Sequence, residues 1–481
     1  MNTRVRYYII IFIITCGLQL GFYTTGYGQN RIDLTLDTAV DIAMKRSYQI
    51  RMLQMSVRGS NLRLKAEQAA LKTQVYMNLT TPDFENISDY KWNSNLGRDE
   101  IVRQNTQLWQ SELSIKQPLM LGRYPTNGFL SLNYRLYQYR QYGGERVRTD
   151  LYNRLYLRFE QPFFLPNTMK NDLETAELDL KDNELSFIAD QMEIMEDVAQ
   201  DYYELFELRY RQDIFREQIS MLEDIFHIAD AARSADSSYV MDYNQIRLEM
   251  NSVREELLSN ESRFRAENSN MKQKLRLGYR DTLIIEPEIV LRPLDVNLEQ
   301  AIAYGLEHNP ELQRLDIHKQ LSEIDLDNEK GENSFHMTLA MTYGLEKKDD
   351  YFDRLWRQFD NSNTVTLNAY IPLWDGGNRR HRIQAEELDV LRRELEMTEE
   401  AEDIRKDIRN NFTNMNEYYQ RAVNMHESIA LARDIVASRK IQYTDGNLSL
   451  NDLIQSIQRL RNTEEQFIEI YLNYKNSLLE L

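Results

Sequence analysis

The sequence predicts a mainly α protein with a membrane β-barrel, built from two tandem structural repeats of long coiled-coil helices joined to short strands. Three observations carry this. The chain repeats itself at steady offsets. Two stretches of more than sixty residues lack Pro and Gly and carry apolar residues at helical spacing. Between helices lie segments of about ten residues in which every second side chain is apolar.

The repeat is read first. LTLDTAVDIAMKRSYQI (34–50) aligns with VNLEQAIAYGLEHNPEL (296–312) at an offset of 262, matching Leu36 with Leu298, Ala39 with Ala301, Leu53 with Leu315 and Leu64 with Leu326. Further along the offset is 210, matching Pro162 with Pro372, Phe164 with Trp374, Leu185 with Leu395, Ile225 with Ile435 and Asp242 with Asp452. The difference, 52 residues, is an insertion in the first copy, an extra hairpin near 85–150. The expected domains are thus 29–290 and 291–481.

The first 28 residues read as an export signal. Arg4 and Arg6 precede an apolar run from Tyr7 to Ile14, and small residues follow. Cleavage is expected after Gly28. A lipoprotein alternative would cut before Cys16, the only cysteine. Past the signal no apolar run approaches the roughly 20 residues of a membrane-crossing helix.

In the second copy, 336–346 places Met337, Leu339 and Met341 on one side, with Thr338, Ala340 and Thr342 opposite. Residues 364–373 do the same with Val365, Leu367 and Ile371. Each has the roughly ten residues that a tilted strand needs to cross a bilayer. The same alternation would serve a soluble sandwich equally well. In the first copy 74–80, 112–121, 130–136 and 151–159 also alternate. Pro125 and Asn127-Gly128 are turn formers within 117–128.

The long helix pairs are expected over 168–277 and 378–481. Each long helix would span about 100 Å at 1.5 Å per residue. The seam runs through Ile194, Val198, Tyr202, Leu205, Leu208, Phe215, Ile219, Leu222, Phe226 and Ala229, and in the second copy from Leu388, Leu391 and Leu395 to Met415, Tyr419 and Ala422. Gly446 can take positive φ at a helix end, and Ser449 with Asp452 forms a capping pair. Pro372 suits a strand end, Trp374 a membrane surface, and Gly376 and Gly377 a sharp turn into a helix.

Three blocks together carry a resemblance: the paired openings LTLDTAVDIAM and NLEQAIAYGLEHNPEL, the junction IPLWDGGNRRHRIQAEEL, and the turn IQYTDGNLSLNDLIQSIQRL. In order and spacing they resemble the TolC-like outer-membrane efflux family. That resemblance implies a homotrimer sharing one barrel, normally of four strands per chain, and one α-helical tunnel across the periplasm of a Gram-negative bacterium. It implies a periplasmic adaptor protein and an inner-membrane pump as partners, with outer-membrane lipid around the barrel. The extra strand pair departs from this plan.

The resemblance also places candidate gate residues at the periplasmic tip: Asp236, Asp242, Lys440, Tyr443, Asp445 and Asp452. Gly446, Asn447, Leu448, Ser237 and Ser238 are the candidate adaptor contacts. An inward Asp would become a ring under three-fold symmetry; Asp445 and Asp452 also have simple roles in a turn and a cap.

No enzyme site is legible. The six histidines make no metal-ligand spacing, and no cofactor motif occurs. A net charge of −18 argues against nucleic acid. The competing reading is a periplasmic or surface coiled-coil scaffold without a pore, which would gain nothing from strands with one wholly apolar side.

Overall fold

The computed structural model describes residues 31–94, 97–122, 124–142, 147–235 and 240–481. The expected signal, and Asp236, Ser237 and Ser238, lie outside the described residues. Two compact units are present. One comprises 31–50, 191–296 and 410–481, the other 51–190 and 297–409.

In chain order the elements are β1 (Arg31–Asp33), α1 (Leu36–Arg46), α2 (Tyr48–Ala70), β2 (Gln74–Asn93), β3 (Arg98–Leu121), β4 (Tyr124–Tyr142), β5 (Arg148–Phe163), α3 (Thr168–Ala235), α4 (Val240–Lys274) and β6 (Thr282–Ile284). There follow α5 (Leu298–His308), α6 (Pro310–Gly331), β7 (His336–Asp349), β8 (Asp360–Tyr370), α7 (Asn378–Thr444) and α8 (Leu450–Leu479). The repeat is visible in the boundaries. α1, α2 and β2 start 262 residues before α5, α6 and β7, while α3 and α4 start 210 residues before α7 and α8. β2 and β5 therefore correspond to β7 and β8, and β3 with β4 is the inserted pair.

Local chemistry sets these starts. Thr35 accepts a bond from the Thr38 amide and caps α1. Its counterpart Asn297 accepts from the Gln300 amide at 3.1 Å and caps α5. Asn309 accepts from Glu311 and Leu312 ahead of Pro310, whose missing N–H costs nothing at a first helical position.

The helical unit is held by one apolar cluster. α3 contributes Phe215, Leu222, Ile225 and Ala229; α4 contributes Ile246, Met250 and Val253. α7 adds Ala422, Ile429, Val436 and Tyr443, a strict seven-residue step, and α8 adds Leu450, Leu453, Ile457, Leu460 and Phe467. Steps of three, four and seven keep one stripe of each helix turned inward. Truncating a fully buried member such as Leu222 or Leu453 to Ala costs about 2–5 kcal/mol. The parallel β1–β6 pair ties the start of the described chain to the segment after α4.

The second unit holds a six-stranded antiparallel sheet in the order β2-β3-β4-β5-β7-β8. Its helical parts pack through polar locks. Asn171 donates to Asn328 at 2.7 Å, Arg314 reaches Asp182 at 3.0 Å and Lys319 reaches Glu394 at 2.8 Å. At Gly331 a Cβ would come 1.9 Å from the Pro166 ring, so only glycine fits where α6 ends.

Three expectations need correction. The second-copy strand stops at Tyr370, not 373, so Ile371 lies past it; Pro372, with no N–H, cannot extend the ladder. The β3–β4 turn is made at Gly122, with φ 65°, and not by Pro125 and Asn127-Gly128, which lie inside β4. Asn127, at φ 59°, instead uses its side chain to accept the Met169 amide at 3.0 Å and to donate to the Pro166 carbonyl at 2.6 Å, capping α3. Finally, Leu388, Leu391 and Leu395 are 65%, 54% and 71% exposed, whereas Ile404, Met415 and Ala422 are buried. The first part of the second seam has no cover among the described residues of one chain.

Candidate functional site

The sheet has two chemically distinct faces, and the register shows how they arise. Val75, Ile115, Leu132, Leu157 and Tyr343 are successive cross-strand partners and form one row. Two residues higher lie Met77, Leu113, Tyr134, Leu155 and Leu345. Lower rows hold Leu130, Phe159, Met341 and Val365, then Leu339 with Leu367, then Phe163, Met337 and Ala369. Because side chains alternate with period two, all these residues share one face. Most of it is bare: Val75 is 64% exposed, Tyr343 60%, Val365 73% and Leu367 61%. Contiguous exposed apolar faces of this kind mark interaction or membrane surfaces.

The intervening rows form the opposite face, which is mainly polar, with Phe129, Ala340 and Pro162 among its exceptions. Ser114 and Asn133 share a hydrogen bond at 2.7 Å, and Asn133 donates onward to Ser131 at 2.9 Å, all three buried. One row up, Arg135 pairs with Glu112 at 3.0 Å, and Tyr156 donates to the same carboxylate at 2.6 Å. Arg154 lies 3.7 Å from Glu346, and Lys348 lies 3.2 Å from Asp150. Tyr137 stacks on Tyr152 with centroids 4.2 Å apart. None of these polar residues was singled out from the sequence; the signal was their position between the apolar ones in every strand.

The strand–helix junction follows β8. Trp374 is 89% exposed. Gly376 and Gly377 take φ 68° and 90°, a region that disfavours side chains, and bend the chain into α7. Asp375 accepts amide bonds from Gly377 and Arg379, both at 2.9 Å. Those donors hold its carboxyl below the usual range.

At the helix ends α7 closes with a Schellman motif: the Asn447 amide donates to the Gln442 carbonyl at 2.8 Å and the Gly446 amide to Tyr443 at 3.0 Å. Gly446 takes φ 73°. Asp445, Gly446 and Asn447 are exposed, while Leu448 packs against the helical core. Ser449 caps α8 through the Asp452 amide at 3.2 Å, and its hydroxyl donates to the Asp452 carboxylate at 2.6 Å. Tyr443 donates to Asp242 at 3.3 Å, and Lys440 reaches Asp224 at 2.7 Å, so α7 is tied here to both α3 and α4. Asp224 was not anticipated.

Among the described residues there is no cluster of three or more His, Cys, Asp or Glu side chains that could hold a metal, and no helix is long and apolar enough to cross a membrane.

Comparison with known proteins gives a likeness of fold. No family model matches the chain, and no curated protein matches it. Solved structures do. The outer membrane protein VceC of Vibrio cholerae is 14% identical with a TM-score of 0.68, covering 92% of this chain and 94% of that one. The CmeC outer membrane channel of Campylobacter jejuni is 13% identical at 0.68, covering 95% and 89%. CusC, solved in a study of folding and transmembrane channel formation, is 12% identical at 0.68, covering 96% and 94%. Over nearly all its length, this chain has the fold of the TolC-like outer-membrane channels.

Proposed function

We propose that three copies of this chain form a passive duct through the outer membrane. Substrates would reach it from an inner-membrane pump through a periplasmic adaptor. The observation that carries this reading is the sheet with one bare apolar face and one charged, hydrogen-bonded face. Hydrocarbon satisfies the first and water the second. A barrel also answers the need of every backbone amide for a partner inside a bilayer.

The uncovered stripe Leu388, Leu391 and Leu395 supports the trimer, since apolar residues at three- and four-residue steps need a neighbouring helix. In the assembly Trp374 sits at the headgroup level, where aromatic rings favour the boundary. Gly446, Asn447 and Leu448, together with Ser237 and Ser238, offer the adaptor contact, while Asp236 and Asp445 belong to the gate. Lys440, Tyr443 and Asp242 restrain the periplasmic opening, and Asp452 acts through the cap. The signal before residue 29 delivers the chain to the periplasm. A duct uses no nucleophile and no cofactor.

Reconstitution into a planar bilayer tests the reading. Discrete ionic conductance steps are expected from detergent-extracted protein. Protein recovered in the aqueous fraction after osmotic shock, without conductance, contradicts it and favours a scaffold.

A further inference from the structure

The six-stranded sheet is open, with β2 at one edge and β8 at the other. Both edges are exposed, and among the described residues no strand pairs with their outward N–H and C=O groups. In a bilayer such groups must find partners. Every neighbouring pair in the sheet is antiparallel, so with six strands β2 and β8 run in opposite directions. β8 of one copy can therefore continue the antiparallel ladder along β2 of the next.

We propose that the β2 edge takes β8 of the next copy, so that three copies close an eighteen-stranded wall. This rests on the trimeric duct reading. The inserted pair β3 and β4 belongs inside the wall. β2 is the strand that receives the chain from α2, as β7 receives it from α6, so β2 must start at the foot of the sheet. β3 and β4 separate it from β5 through long ladders, each with one register shift: Gln74–Lys116 to Asn93–Arg98 on one side and Asn105–Tyr142 to Leu121–Tyr124 on the other. A wall without them would need β2 paired directly with β5. Moreover, Leu113, Ile115, Leu130 and Leu132 of the inserted pair continue the apolar rows, with Gln117 beside Leu130 the polar exception.

The register also bears on the tilt. Gln74, the foot of β2, shares a row with Thr364, six residues above Tyr370, the foot of β8. If Gln74 and Tyr370, the two feet that meet at the seam, lie at one level, Gln74 of the next copy stands beside Tyr370, a slip of six residues for each six strands. With about 3.3 Å per residue and about 4.8 Å per strand, that gives a tilt of about 35°, within the range of closed barrels. The backbone-to-backbone bore is then about 34 Å, against about 22 Å for a twelve-stranded wall at the same tilt. The exit would pass bulky hydrophilic cargo, polypeptide included, and would not itself select by size among small solutes.

Two measurements test this on the full chain. Electron microscopy of the detergent-extracted assembly should count eighteen strands. Gln74→Cys combined with Tyr370→Cys should give oxidative crosslinks between chains. A twelve-stranded wall with β3 and β4 outside it overturns the proposal and leaves the duct intact. Crosslinking of Gln74→Cys through Thr364→Cys, with none through Tyr370→Cys, overturns the slip and the tilt. A trimer that crosses no bilayer counts against the duct itself and removes the proposal with it.

Discussion

Leu339 of β7 stands directly opposite Leu367 of β8, on the face that also carries Val75, Ile115, Leu132 and Leu157. Thr338 and Thr366, their neighbours in sequence, belong to the other face, with Ser114, Asn133 and Glu112. One residue of displacement separates the apolar face from the polar one, and in the proposed duct the lipid side from the water side. The consequences of a charge therefore depend on the parity of its position.

Leu132→Arg places a charge in the middle of the apolar face. Near the bilayer midplane such a substitution destabilises a barrel by about 2–4 kcal/mol. Urea unfolding in lipid vesicles should show that loss. Thr342→Arg, on the polar face, should leave stability near the parent value and alter conductance or ion preference. Equal losses for both variants would contradict the assignment of faces.

Lys440 and Tyr443 hold α7 to Asp224 and Asp242. The Lys440 pair is exposed and stabilises the fold by about 0–1 kcal/mol at most. Lys440→Glu combined with Tyr443→Phe should therefore leave thermal stability nearly unchanged. Single-channel conductance should rise, because two restraints on the helix ends are gone. Unchanged conductance would remove these residues from the gate.

Asp375 is stabilised as a carboxylate by two amide donors. Its folded value lies below the unfolded one, so its contribution is present above the unfolded carboxylate range and is lost as pH falls through the folded value. Asp375→Ala should lower the melting temperature at neutral pH. The gap should close below about pH 4, near the ordinary Asp value. A gap independent of pH would mean that the side chain acts by packing and not by charge.

Glu464 shows the opposite sign. Its side chain is 5% exposed and lies 2.7 Å from Arg433, with Glu217 and Tyr210 nearby. Burial pushes its carboxyl up more than Arg433 lowers it, and Glu217 adds to the rise. Its contribution is therefore full below the unfolded value, near pH 4, and declines as pH rises towards the folded one. Glu464→Gln, which keeps a partner for Arg433, should flatten that decline in thermal unfolding. A variant with the parent's full slope would refute the assignment.

Much of the fold was legible because it repeats. The two offsets recur in the helix starts: Thr35 and Asn297 cap equivalent helices, as the 262-residue offset requires. Strand faces were legible from alternation at Met337, Leu339, Met341, Val365 and Leu367. Strand ends were less so, because apolar alternation runs on through Ile371 and Leu373 although the ladder ends at Tyr370, ahead of Pro372. Asn127-Gly128 looked like a turn, but long-range capping of α3 fixes that asparagine, and a distant partner leaves no local signal. The polar row Glu112, Arg135, Arg154 and Glu346 needed the register of four strands to come together. Asp224, 216 residues from Lys440, was hidden for the same reason.

The most direct measurement is the accessibility of nitroxide labels placed singly at Leu339 and Leu367, and at Thr338 and Thr366, in the assembled protein in lipid. Labels at Leu339 and Leu367 should relax with molecular oxygen dissolved in the bilayer and ignore a water-soluble nickel chelate, while those at Thr338 and Thr366 should do the reverse. Free access of the chelate to both leucine positions would show that this face meets water, and the sheet would then form no part of a membrane wall.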